Sequence, residues 1–161
     1  MKTLFCDGSK YGIAATLSQR NPTDGSTRII CHVSRKLTDT ERRYSQLEIE
    51  ALAAVWSVER LHRYIFGSNF DLVTDCRALK ILYGKPNIKL PARLERWRLR
   101  LSLYMFSVIH KPAGQHGEGN PSDFLSRHPD PTVDANDYLS HAADEYVNFV
   151  VNTSTPVALD I

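Results

Sequence analysis

The stretch FDLVTDCRALKILYG, residues 70–84, changes character in its middle. Phe70, Leu72 and Val73 belong to a strand-forming run, whereas Arg77 to Tyr83 reads as a short helix that Gly84 ends. Asp75 stands at the junction. An aspartate there can cap the helix, form a turn or bind a metal ion. The choice depends on whether other carboxylates of the chain reach the same place.

Before this stretch, residues 41–66 show helical spacing, with Leu47, Ala51, Ala54, Val55, Val58, His62 and Ile65 recurring at helical intervals. Thr38 or Asp39 is the expected cap and Gly67 the expected stop. Before the helix, TLFCD (3–7), KYGIAATLSQ (10–19) and IICHVS (29–34) read as three strands. The links are short, and NPTDGSTR (21–28) is rich in turn formers, so an antiparallel meander is predicted. Forward of the stretch, Pro91 suits the first turn of a helix over 91–103. MFSVIHK (105–111) is a fifth strand, AGQHGEGN a loop, and PSDFLSR (121–127) a last short helix. The order βββ-α-β-α-α-β-α needs a strand–helix–strand crossover after the meander. That makes the fold α/β, with a mixed five-stranded sheet and helices on its faces.

With 161 residues the chain can hold one domain with a sizeable core and an appendage. We divide it into a domain over 1–129 and a tail over 130–161, with PDPTVD as linker and a short amphipathic helix expected over 136–150. No apolar run has spanning length, and MKTLFCDGSK lacks a secretory signal's hydrophobic segment, so an intracellular protein is expected. Cys6, Cys31 and Cys76 show no C-x-x-C spacing, which argues against zinc and for small buried thiols. All 20 Lys and Arg lie at or before Arg127, and six of the 18 acids lie beyond residue 129. Residues 1–129 thus carry +8 and the remainder −6, and a basic body fits a polyanionic partner.

Several acids deserve weighing. Asp7 ends the first strand before Gly8, as a turn aspartate does. Asp75 occupies a cap position, and Asp123 suits the dipole of the last helix, with Asn120 placed to cap it. On the long helix, Glu48 and Glu50 flank the apolar stripe about 100° and about 60° to either side of Leu47, and spacing does not choose between them. Singly, each has an ordinary structural explanation. Together they are less innocent, because strand ends that meet helix starts gather ligands in open α/β sheets. Clustered carboxylates raise one another's pKa, and a divalent cation reverses that penalty. Oxygen-only donors favour hard ions such as Mg²⁺.

The segments FCDGSKYGIAATLSQ, HVSRKLTDTERRYSQLEIEALAAVWSVERLHRYIFG, FDLVTDCRALKIL, RLERWRLRLSLYMFSVIHKPAG and GNPSDFLSRHP, in that order, resemble the ribonuclease H domain of gypsy-type LTR retrotransposon pol polyproteins. The resemblance covers about residues 3–129. It implies a ribonuclease H-like fold with strand order 3-2-1-4-5. It also implies an active site of three aspartates and a glutamate around two Mg²⁺ ions, with Mn²⁺ as substitute. By motif, these are Asp7 in FCDGS, Glu50 in EIEALAAVW, Asp75 in VTD and Asp123 in NPSDFLSR. Asp7 is expected to bridge both ions, Glu50 and Asp75 to hold the ion on the leaving-group side, and Asp123 to complete the nucleophile side.

The implied reaction is endonucleolytic hydrolysis of the RNA strand of an RNA/DNA hybrid, leaving a 5′-phosphate and a 3′-hydroxyl. The helix around Arg93, Arg96 and Arg100 offers a face for the hybrid's phosphates. The loop HKPAGQHGEGNPSD is about four residues longer than the family's usual loop, as if AGQH were inserted, so His110 and His116 are both candidates for a product-release histidine. Expected partners are the hybrid and the reverse transcriptase and integrase portions of the same polyprotein. The expected location is a retroelement particle in the cytoplasm, or the nucleus. The rival reading is a non-catalytic ribonuclease H-like connection module, which loss of one of the four acids would favour. A DNA-cutting relative is less suited, since its acids usually follow the order D-D-E. No P-loop or glycine-rich phosphate cradle is present.

Overall fold

In the computed structural model, which describes residues 1–85, 87–112 and 120–132, the chain opens with a meander that ends at Lys36. Strand β1 (Lys2–Gly8) pairs antiparallel with β2 (Gly12–Arg20), and β2 pairs antiparallel with β3 (Thr27–Lys36). The chain then crosses over through helix α1 (Gln46–Arg60) and the single turn α2 (His62–Ile65) to β4 (Phe70–Thr74), which lies parallel to β1. Helices α3 (Arg77–Gly84) and α4 (Ala92–Leu101) lead to β5 (Phe106–His110), parallel to β4. Helix α5 (Ser122–Arg127) closes the described chain. The sheet order is β3-β2-β1-β4-β5, as expected from the sequence. The tail helix expected over 136–150 lies outside the described residues, as does His116.

The strand identities follow from the need to bury both faces of the sheet. Strand β2 is buried from Gly12 through Ser18, because Ile13, Ala15 and Leu17 face α1 while Thr16 faces α5. Small residues on that strand let helices approach from both sides. Ala51, Ala54, Val55 and Val58 of α1 meet Leu4, Cys6, Leu72, Leu79, Leu94 and Trp97 in one cluster. Each fully buried Val or Leu there contributes about 1.5–3 kcal/mol. Leu94, Trp97 and Leu101 form the inward face of α4, as their i, i+3, i+7 spacing predicts. Among the described residues no helix is long and apolar enough to cross a membrane.

The long helix expected over 41–66 is broken at both ends. Glu41–Arg43 forms a 3₁₀ turn, and the chain leaves helical geometry at Tyr44 and Ser45, where ψ is 151° and 158°. Ser45 rather than Thr38 or Asp39 caps α1, in a capping box with Glu48. Thr38 instead serves the 3₁₀ turn, its Oγ1 accepting from the Glu41 N–H at 3.1 Å. Glu41 is held by Arg35 through two hydrogen bonds of 2.7 and 2.9 Å. Apolar periodicity ran through both breaks because the segments share one buried side. Gly67, at φ +73°, turns the chain out of α2 as expected.

Smaller differences have equally local causes. Pro91 sits at the cap of α4 and Pro121 at that of α5, each one residue outside the helix. Asn120, expected to cap α5, stands one residue before that cap, and its Oδ1 accepts from the Ser122 N–H at 3.0 Å. All three cysteines are free; Cys6 is fully buried, while Cys31 on the edge strand and Cys76 before α3 are half-buried.

Candidate metal centre

Asp7 is the penultimate residue of β1 and Asp75 the first residue beyond β4, so both leave the sheet at the same end of adjacent parallel strands. Glu50 reaches them from the second turn of α1. Its approach depends on Gly8: a Cβ there would lie 2.9 Å from both Cγ2 and the backbone oxygen of Ile49. The missing side chain lets α1 rest on the end of β1. Gln46 fastens the contact, its Nε2 donating to the Gly8 carbonyl at 3.0 Å and to Glu50 Oε1 at 2.9 Å.

The capping box settles which glutamate turns inward. Glu48 accepts from the Ser45 N–H at 2.9 Å and pairs with Arg93 at 2.8 Å, which commits it to the helix end. Glu50 is buried at 5 % exposure, and its Oε2 has no hydrogen-bond partner. A buried, partnerless carboxylate oxygen is costly unless a cation answers it.

One carboxylate oxygen each from Asp7, Glu50 and Asp75 lies within 4.8 Å of the other two. Burial, and then the charges of Asp7 and Asp75, push the Glu50 carboxyl up to about 8. Burial also raises Asp7, with the Ser126 hydrogen bond opposing and the Asp75 and Asp123 charges adding. Asp75 is raised by burial and by the Asp123 charge. All three shifts have one physical origin: anionic oxygens crowded together with little solvent.

Asp123 is close enough for its charge to act on Asp7 and Asp75, but it is not one of the three converging residues. It is exposed on α5 and pairs with Arg127 at 3.2 Å. His110, the last residue of β5, donates from Nε2 to the Asp75 carbonyl at 3.0 Å, which ties it to the junction itself. The three arginines of α4 divide. Arg93 pairs with Glu48 and lies 4.1 Å over the Tyr44 ring. Arg100 pairs with Glu59. Arg96 is exposed.

Two contributors escaped the sequence reading. Gln46 stands four residues before Glu50, a helical neighbour whose amide was recognisable only once Glu50 was known to face inward. Ser126 donates to Asp7 Oδ2 from 119 residues away, and no local pattern announces that contact.

Over residues 2–104 the sequence matches the family described as the RNase H-like domain found in reverse transcriptase. The match includes Asp7, Glu50 and Asp75 and ends before Asp123. The chain is 37% identical over 128 residues to the retrovirus-related Pol polyprotein from transposon opus of Drosophila melanogaster, which takes in 78% of this chain and 12% of that polyprotein. It therefore spans about an eighth of that relative's length. Its fold resembles that of RNase H1 from the halophilic archaeon Halobacterium salinarum, with a TM-score of 0.54 at 14% identity over 79% of this chain and 96% of that one. It also resembles LC11-RNase H1 in complex with an RNA/DNA hybrid, with a TM-score of 0.50 at 8% identity over 73% of this chain and 88% of that one.

Proposed function

This chain belongs to the family of RNase H-like domains found in reverse transcriptases, and from that premise we propose that it hydrolyses the RNA strand of RNA/DNA hybrids with the help of two divalent cations, as part of a retroelement's reverse transcription. The observation that carries the reading is Glu50 Oε2, buried without a partner beside the Asp7 and Asp75 carboxylates. The donors are all oxygens, which suits Mg²⁺ with Mn²⁺ as substitute, rather than a soft ion.

Asp7, Glu50 and Asp75 are the residues that would hold cations here, and Asp123, paired with Arg127 in the structure, would be the fourth carboxylate of the set. Cations bound at such a site supply a water of lowered pKa and neutralise the charge that develops on the leaving oxygen. The protein's own part is positional. The ends of β1 and β4 fix two carboxylates, Gly8 and Gln46 seat the third, and the +8 charge of residues 1–129 draws the nucleic acid. Arg96 is the α4 arginine placed to follow a phosphate, and His110 is the described histidine nearest the site for product release. The 2′-hydroxyls and shape of the hybrid distinguish its RNA strand. The solved relative bound to an RNA/DNA hybrid supports this substrate class. The Pol polyprotein relative supports a setting within a retroelement polyprotein. Reverse transcriptase and integrase portions as partners, and a cytoplasmic particle or the nucleus as the location, are part of the proposal.

The test is cleavage of end-labelled RNA/DNA hybrid, RNA duplex and DNA duplex in Mg²⁺ by the wild type and by Asp75→Asn. The wild type should cut only the RNA strand of the hybrid, and the variant should lose that activity. Equal cutting by both proteins, or cutting of the DNA duplex alone, refutes the proposal. Hybrid binding by the wild type without cutting would assign the non-catalytic connection role instead.

A further inference from the structure

We propose that Ser126 is a positioning residue for the metal centre: its buried hydroxyl fixes the rotation of the Asp7 carboxylate, so that the lone pairs it does not occupy are aimed at the cations. The inference rests on the reading of Asp7, Glu50 and Asp75 as a cation site.

Ser126 has no solvent exposure, and its Oγ has two acceptors in reach, Asp7 Oδ2 and, at 3.0 Å, the Asp123 carbonyl. A hydroxyl has a single proton. The anionic oxygen takes it, because hydrogen bonds to ionised acceptors are about twice as strong as neutral ones. Among the described residues this is the hydrogen bond that the Asp7 carboxylate receives. Asp7 is itself 4 % exposed, so water has little access to replace it.

The contact is built into the fold. Asn120 Nδ2 donates to the Cys6 carbonyl at 2.9 Å, and Ser122 Oγ lies 3.1 Å from the Phe5 carbonyl and from Thr16 Oγ1. Ser9 Oγ donates to the Ser126 carbonyl at 2.7 Å. The segment 120–126 is thus fastened along β1 on both sides of Asp7, and Ser126 reaches the carboxylate from a fixed frame. Ser122 is one of the fasteners.

Without the hydroxyl, the Asp7 carboxylate would be free to rotate away from the charges of Glu50 and Asp75. A cation would then have to order it on binding. Groups that orient a ligand in this way typically alter metal affinity by about 10–100-fold when removed. A purely structural serine behaves differently, since its loss lowers stability equally with and without cation.

The test is Mn²⁺ binding to the full chain, counted by electron paramagnetic resonance, together with melting temperature with and without Mg²⁺. The proteins compared are wild type, Ser126→Ala and Asp75→Asn. Ser126→Ala should weaken Mn²⁺ binding about tenfold and shrink the rise in melting temperature that Mg²⁺ produces. Should the alanine variant fail to fold, the near-isosteric Ser126→Cys, whose thiol is a weaker donor, carries the same comparison. Weakened binding in Asp75→Asn with unchanged binding in the Ser126 variant overturns this inference alone. Unchanged binding in Asp75→Asn overturns the cation site and this inference with it.

Discussion

Phe5 of β1 stands opposite Val73 of β4 in parallel register. Two residues further along each strand are Asp7 and Asp75, so the register itself delivers both carboxylates to one end of the sheet. Parallel neighbours leave a sheet in the same direction, and that geometry makes the repulsion between the two acids unavoidable in the absence of a counter-charge.

The cation-free protein should lose stability progressively as pH rises from about 4.5 to about 8. Folding raises the Glu50 carboxyl from 4.5 to about 8, so the native state takes up a proton more readily than the unfolded chain. That contribution is fully present below the ordinary carboxyl range and disappears as pH rises through about 8. Asp7 and Asp75, raised for the same reason, act in the same sense. A bound cation competes with the proton, so the melting temperature gained from Mg²⁺ should grow between pH 6 and pH 9. Calorimetry with and without Mg²⁺ measures this directly. Glu50→Gln should flatten both trends, and a Mg²⁺ gain in the wild type that does not change with pH would contradict the assignment.

Glu48 and Glu50 should separate cleanly in mutagenesis although only one residue lies between them. Glu48→Ala removes half of a capping box and the Arg93 ion pair, which should cost about 1 kcal/mol of stability. Mn²⁺ binding should survive it. Glu50→Ala should abolish tight Mn²⁺ binding while raising the cation-free melting temperature at high pH. Denaturation curves paired with Mn²⁺ titrations distinguish the two, and equal loss of Mn²⁺ binding in both variants would refute the division of roles.

Gly8→Ala should damage the site without touching a carboxylate. The added Cβ meets Ile49 backbone at 2.9 Å, so the end of α1 has to move and Gln46 loses its hold on the Gly8 carbonyl. Overpacking of this kind costs about 1–3 kcal/mol. Glu50 would be displaced with the helix, and hybrid cleavage should fall more than stability does. A variant with wild-type cleavage would show that the close contact is not what seats Glu50.

The succession of strands and helices, and the placing of Asp7 and Asp75 at strand ends, were legible in the sequence because they follow from local signals: alternation, turn residues and a change of period at residue 75. The strand order 3-2-1-4-5 came from the resemblance. The choice of Glu50 was not legible from spacing, since Glu48 and Glu50 flank the same stripe. It came from resemblance, and its physical reason is the capping box that claims Glu48. The breaks at Ser45 and Leu61 were hidden because the apolar face continues through them. Ser126 was out of reach for a different reason. Its bond to Asp7 spans 119 residues and depends on how α5 docks, which no single segment encodes.

The arginines of α4 should have unequal effects on hybrid binding. Arg100 and Glu59 are an ion pair with side chains 20 % and 8 % exposed, so Arg100→Ala removes a largely desolvated charge-assisted contact between α4 and α1. The expected loss is about 2 kcal/mol of stability, below the roughly 3–5 kcal/mol of a fully buried pair because the arginine is partly hydrated. Arg96 is exposed, so Arg96→Ala should leave stability within about 0.5 kcal/mol of wild type. If Arg96 follows a phosphate, its loss should reduce the slope of log affinity against log salt by about one. Fluorescence anisotropy on labelled hybrid between 50 and 200 mM salt reads this slope, in an Asp75→Asn background where the hybrid survives. Arg93, paired with Glu48 and seated on Tyr44, should show a smaller change in slope than Arg96. The reverse order would mean that the hybrid approaches α4 from the side of α1 and breaks the Arg93 pair on binding.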